Sequence, residues 1–319
     1  MKRLLAAGTF LLVSLPAHAL LGAVVDSNTA VSPWAGVGAV SVNGSTYSGA
    51  LIGSNYVLTA AHVVQGASTG GVSFVLNAGS ASQTFAVEAI TVFPGFTGTT
   101  PGVDGVWHDD LALIRLAQAV DSSVPVYSLY SGSLSGKTVT SVGYGSGGDG
   151  VSGATIGADA DVKRVGQNRV DKLLVDDDGG ASNEVFMFDF DGPTSATNVF
   201  GSPAPANLTL GATIETQFAS GDSGSPVFVN DNGEWKIAGI AAFNGSTSLS
   251  GGSNVRFGSI GGGTVVASYL PWIQSTLAAP VPEPHAWLMM LSGLGLVGAA
   301  GFKSNLAGRS LRPIRRQGA

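Results

Sequence analysis

The chain has 319 residues, no cysteine and a formal net charge of −6. Residues 20–282 alone hold eight Lys or Arg against twenty Asp or Glu, a net of −12, which excludes the basic face that nucleic acid requires. Glycine and proline, 47 and 14, stay below the share of a disordered chain, and without disulfides the stability must come from core burial.

In chain order, residues 1–19 read as a secretory signal. Lys2 and Arg3 precede an apolar stretch over 4–15, and Ala17-His18-Ala19 forms a small-x-small cleavage site. Short β-like runs then alternate with Gly, Ser, Asn and Asp. The runs over 34–42, 47–52, 56–60, 72–76, 85–92, 111–116 and 138–142 are expected to build a first barrel. Those over 186–190, 226–229, 235–242 and 264–267 belong to a second. Their regular spacing favours an all-β antiparallel architecture over α/β alternation. Only 268–277 has a helical pattern, and no internal repeat is visible.

Two strings carry the chemistry: Thr59-Ala60-Ala61-His62 and Gly221-Asp222-Ser223-Gly224-Ser225-Pro226. A serine hydroxyl becomes nucleophilic only when an imidazole takes its proton, a carboxylate orients that imidazole and N–H donors hold the oxyanion. Asp110 supplies the carboxylate at the head of the apolar run Leu111-Ala112-Leu113-Ile114, with Asp109 as its competitor. A serine in a Gly-rich stretch is by itself a turn residue. Ser223 differs because both other strings accompany it. Of the four histidines, His18 and His285 lie in the two ends, leaving His62 and His108 in the body. His108 reads as a surface or hydrogen-bonding residue.

The order His, Asp, Ser with these strings resembles the chymotrypsin/trypsin-like serine proteases over 20–277; other serine-hydrolase folds order the triad differently. The resemblance implies two antiparallel six-stranded β-barrels with a short C-terminal helix. It also implies an endopeptidase working through an acyl-enzyme: His62 as general base, Asp110 as its orienter, Ser223 as nucleophile and the N–H groups of Gly221 and Ser223 as oxyanion hole. Val63 stands where animal members usually have a half-cystine, which points to a bacterial branch. The resemblance puts Gln217 at the base of the S1 pocket, Ala242, Phe243 and Asn244 along its wall and Gly261 to Gly263 opposite. A neutral Gln217 predicts a non-tryptic preference for small to medium P1 side chains. Leu20-Leu21-Gly22-Ala23 resembles the family's Ile-Val-Gly-Gly start. Signal cleavage after Ala19 is thus expected to free a Leu20 amine that pairs with Asp222. Fold alone does not fix function, so a non-catalytic surface or exopolysaccharide-matrix binding protein is the alternative.

The span between Asp110 and Ser223 exceeds the family minimum, around 145–157 and 173–207. Asp176-Asp177-Asp178 and Asp189-Phe190-Asp191 fall there. Clustered carboxylates can bind a hard cation, but no complete loop signature is present; solvated acidic loops are expected, with no metal or cofactor assigned.

At the other end, Val281-Pro282-Glu283-Pro284 precedes an apolar stretch over 286–302 and then Lys303, Arg309, Arg312, Arg315 and Arg316. Seventeen residues is the short limit for a membrane span, and the stretch has no polar face. The arrangement resembles the PEP-CTERM sorting signal of Gram-negative bacteria, so 278–319 is assigned as linker and sorting signal. The resemblance implies processing by an exosortase, after which the protein resides outside the cell or at the exopolysaccharide-rich surface. Signal peptidase and exosortase are the expected processing partners and proteins or peptides the substrates. Nucleic acid is not a partner, and the membrane is touched only through the sorting helix.

Overall fold

The computed structural model describes residues 20–77, 82–98, 101, 102, 104–201 and 209–279. Alternation of buried and half-exposed residues makes the first strands. In β5 below, Val72, Phe74 and Leu76 point inward while Ser73 and Val75 are half-exposed, the two-residue period of a strand with one wet face. The strands are β1 (Val24–Val25), β2 (Val37–Val42), β3 (Ser45–Gly53), β4 (Tyr56–Thr59), β5 (Val72–Asn77), β6 (Ser82–Val92), β7 (Ala112–Leu116) and β8 (Thr138–Gly143). They continue as β9 (Gly147–Asp149), β10 (Gly153–Ile156), β11 (Arg164–Arg169), β12 (Lys172–Val175), β13 (Asn183–Asp189), β14 (Pro226–Asp231), β15 (Glu234–Gly245) and β16 (Ile260–Val265). A single helical turn, α1 (Ala61–Val64), follows β4, and α2 (Leu270–Ala278) closes the series.

Strands β2-β3-β4-β7-β6-β5 form a closed six-stranded antiparallel barrel, as expected. The second unit departs from the expectation. It is an eight-stranded antiparallel sheet in the order β1-β11-β8-β14-β15-β16-β13-β12, and its end strands β1 and β12 do not pair with each other. The run over 138–142, expected in the first barrel, is β8 and pairs with β11 and β14 of this sheet. Strands β9 to β12 were not anticipated. Arg-Val-Gly-Gln-Asn-Arg in β11 has no clean apolar alternation, because the side chains of Arg164 and Asn168 are themselves buried. The core of the second sheet gathers Val139, Phe186, Phe188, Val227 and Val265 around Leu20.

Three-glycine β16 allows close approach to its neighbours. A Cβ at Gly263 would collide with the Ile240 carbonyl on β15. Among the described residues no helix is long and apolar enough to cross a membrane. The segment 286–302, read as a membrane helix, lies outside the described residues, as do the signal over 1–19 and the sorting box.

Candidate active site

His62 sits in α1, directly after β4, and is held from two sides by one carboxylate. Its backbone N–H donates to Asp110 Oδ1 at 2.8 Å and its Nδ1 lies 2.6 Å from Asp110 Oδ2. A carboxylate next to Nδ1 favours the tautomer whose Nε2 lone pair is free to accept a proton. Asp110 is 2% exposed, and its carbonyl accepts from Thr264 Oγ1 on β16 at 3.1 Å, so the second sheet also anchors it. Asp109, the competitor, is turned elsewhere. It adopts φ +60°, and its carboxylate accepts from the Tyr269 hydroxyl at 2.9 Å. Burial raises its pKa above the usual carboxylate range.

Ser223 lies in a tight turn between Gly221 at φ +93° and Gly224 at φ +81°, conformations that favour glycine. A Cβ on Gly224 would strike Thr59 Oγ1 and the Ser48 carbonyl, which sets the serine turn directly against the strand leading into His62. The turn is pinned by its backbone: Ser48 N–H donates to the Ser223 carbonyl at 3.0 Å and Gly224 N–H to Ala241 at 2.8 Å. The N–H groups of Gly221 and Ser223 have no acceptor among the described residues, nor does the Ser223 hydroxyl have a partner there. A pair of free donors flanking a nucleophile can receive a developing oxyanion.

Sequence reasoning missed Ser48. Fully buried on β3, it donates its hydroxyl to the Gly221 carbonyl at 3.2 Å, accepts from Tyr144 N–H at 3.0 Å, and through its carbonyl accepts from Thr59 Oγ1 at 2.8 Å. No local string marks it. Thr59 belongs to the string around His62.

Beside Ser223 is a cavity of about 350 Å³ lined by Phe218, Ala219, Ala242, Phe243, Asn244 and Val255 among others. Ala242, Phe243 and Asn244, the residues read as a pocket wall, all line this cavity. Gln217 does not line it. That side chain is fully buried, donating to Ser259 Oγ at 2.9 Å and accepting from Phe218 N–H at 2.8 Å, which turns its amide behind the wall. Asn244 donates to the Phe218 carbonyl at 2.7 Å and accepts from Asn254, tying one wall to the other. A second cavity, of about 300 Å³, adjoins His62 and is lined by Phe96, Trp107, Ala242 and Phe243.

Asp222 is fully buried, and its two oxygens accept from Gly145 N–H at 3.0 Å and Ala219 N–H at 2.9 Å. Desolvation pushes its pKa up to about 7, against those hydrogen bonds and the charge of buried Arg164. Leu20, the expected N-terminal partner, is wholly buried in the second core at φ +48°, and Leu21 exchanges backbone hydrogen bonds with Gln217. In the uncleaved chain the Leu20 nitrogen is part of a peptide bond, and no ion pair joins it to Asp222.

Residues 24–181 match the Trypsin family model, and residues 280–304 match the PEP-CTERM protein-sorting motif. The chain carries a trypsin-family domain. The match spans His62 and Asp110 and ends before Ser223. A trypsin-family domain supports a serine-peptidase hydrolase acting on proteins, while the sorting motif implies exosortase processing, export and cell-surface sorting in Gram-negative bacteria. No curated protein matches the chain.

Proposed function

We propose that the protein is an exported serine endopeptidase in which His62, Asp110 and Ser223 act as a catalytic triad. The observation that carries the reading is the pair of contacts from Asp110 to His62 beside a serine turn with two free N–H donors. Ser223 Oγ attacks the scissile carbonyl while His62 Nε2 takes its proton, and the oxyanion settles on the N–H groups of Gly221 and Ser223. The imidazolium, steadied by Asp110, then protonates the leaving amine. Water attacks the acyl-enzyme by the same route in reverse.

The cavity beside Ser223 is the S1 pocket, and it takes a neutral P1 side chain of small to medium size. Among the described residues Asp222 is the one carboxylate on its lining, and backbone N–H groups already hold both its oxygens. Gln217 contributes from behind the wall, as the neutral support of Phe218 and Ser259. Residues 20–277 form the protease unit and 278–319 the linker and sorting signal. Signal peptidase cleavage after Ala19 frees the Leu20 amine to pair with Asp222 and order the oxyanion hole.

The test combines labelling and cleavage profiling. Wild-type protein should react with a fluorophosphonate probe and cut casein, and Ser223→Ala should do neither while keeping its circular dichroism spectrum. Undiminished labelling of the Ala variant removes Ser223 from the role. A cleavage profile dominated by Lys or Arg at P1 removes the pocket assignment.

A further inference from the structure

His108 is not a surface residue. It is 6% exposed and surrounded by carboxylates from separate stretches of chain. Its Nδ1 lies 3.1 Å from Glu184 Oε2 and 3.6 Å from Asp177 Oδ1, and its Nε2 lies 3.1 Å from Asp104 Oδ2. One donor atom each from His108, Asp177 and Glu184 falls within 4.8 Å of the others. Donors about 2.0–2.1 Å from a tetrahedral cation stand roughly 3.3 Å apart. The 3.1 Å and 3.6 Å separations bracket that edge.

The other ring nitrogen makes the same point. An imidazole that ligates a metal almost always gives its second N–H to a carboxylate, which fixes the tautomer, and Asp104 stands in that place. With the Nε2 proton given to Asp104, the Nδ1 lone pair faces two carboxylate oxygens, an arrangement that needs a cation or a further proton between them.

Charge decides between these. Asp109 and Asp178 line the cavity beside the cluster and add to its negative charge. The Lys and Arg ion pairs among the described residues all lie elsewhere, at Arg115–Glu88, Lys163–Asp26 and Lys236 with Asp231 and Glu234. A proton offsets one charge, a divalent ion two. A polar cavity of about 100 Å³, lined by Gly95, Thr97, His108, Asp109, Asp177 and Asp178, opens beside the cluster and has room for the waters that complete a coordination shell.

We propose that His108 Nδ1, Asp177 and Glu184 bind a divalent cation of the Zn²⁺ type, with Asp104 orienting the imidazole. One imidazole and two carboxylates is a donor set for zinc and its transition-metal neighbours rather than for calcium, which takes oxygen alone. The ion ties the 104–108 stretch, which ends two residues before Asp110, to Asp177 between β12 and β13 and to Glu184 on β13. It bridges the first barrel to the second sheet at the rim. The site stands apart from the proposed triad and does not depend on its being catalytic.

Full-length protein stripped with a chelator is titrated with Zn²⁺, Ca²⁺ and Mg²⁺ by calorimetry, with bound metal counted by mass spectrometry. The expected result is one Zn²⁺ per chain and a Tm raised by Zn²⁺ but not by Ca²⁺ or Mg²⁺. Asp104→Asn should weaken binding about tenfold and Asp177→Asn by more than that. Asp177 is exposed, so its variant keeps the fold even if Glu184→Gln does not, and circular dichroism verifies this. Zn²⁺ affinity unchanged in Asp177→Asn overturns the proposal, as does a Tm raised by Ca²⁺ alone or binding below one ion per chain.

Discussion

Ser48 shows how one side chain outside the recognisable strings can govern the chemistry. Its hydroxyl joins Gly221, whose N–H is a proposed oxyanion donor, to Tyr144, and all three groups are buried. Ser48→Ala leaves the Tyr144 N–H and the Gly221 carbonyl without a side-chain partner, and a buried group so orphaned costs about 1–3 kcal/mol. The expected outcome is a lower urea midpoint together with a fall in kcat of up to about 100-fold and little change in KM, because a misaimed oxyanion donor weakens the transition state and not the substrate. A lower midpoint with unaltered kcat would make Ser48 a structural residue only. His62 and Asp110 were legible because each sits in a short string of fixed residue types, whereas Ser48 acts across 175 positions, through its own N–H to Ser223. The apolar run that follows Asp110 marks it over Asp109 in the sequence, and a left-handed φ at Asp109 separates the two carboxylates.

At the level of elements, the first barrel was readable, as were β13 to β16 of the second sheet, while β11 and β12 were not. Strands such as β5 expose one face and bury the other, so their period shows. In β11 the buried face carries Arg164 and Asn168, residue types that signal a surface, and β12 is a half-exposed edge. The stretch Leu20 to Ala23 was readable as an N-terminal insert only through resemblance, and burial of Leu20, Leu21 and Ala23 to 1% or less argues against a frayed start. If the Leu20 amine orders the oxyanion hole, a Met added before Leu20 lowers kcat without lowering the circular dichroism signal, and the wild type loses activity as the amine deprotonates at alkaline pH. N-terminal sequencing of the secreted protein fixes the true start. Full activity of the extended protein would mean that Arg164 and the two N–H donors suffice for Asp222.

Across the whole molecule the excess of acid reaches the interior, which gives stability a pH dependence of predictable sign. Asp171, Asp189, Asp191 and Glu215 lie near one another, and no Lys or Arg forms an ion pair with them among the described residues. Burial, then the charge of Asp189, pushes Asp171 up to about 8 from an ordinary 3.8. Burial and the charges of Asp189 and Glu215 push Asp191 to about 7. Burial raises Asp189 and Glu215 as well. Each group therefore binds a proton more tightly folded than unfolded. Between its unfolded and folded pKa the native state holds protons the unfolded chain has released, so stability falls as pH rises through that window. The contribution is fully present below about pH 4 and is lost progressively toward about pH 8. Urea midpoints measured at about pH 5.5 and about pH 8.5 should therefore drop with rising pH, opposite to a protein whose carboxylates are held by cations. Asp171→Asn removes the group with the highest of these values and should flatten the decline. A midpoint that rises with pH, or an unchanged slope in Asp171→Asn, would mean that these carboxylates are already ionised in the fold.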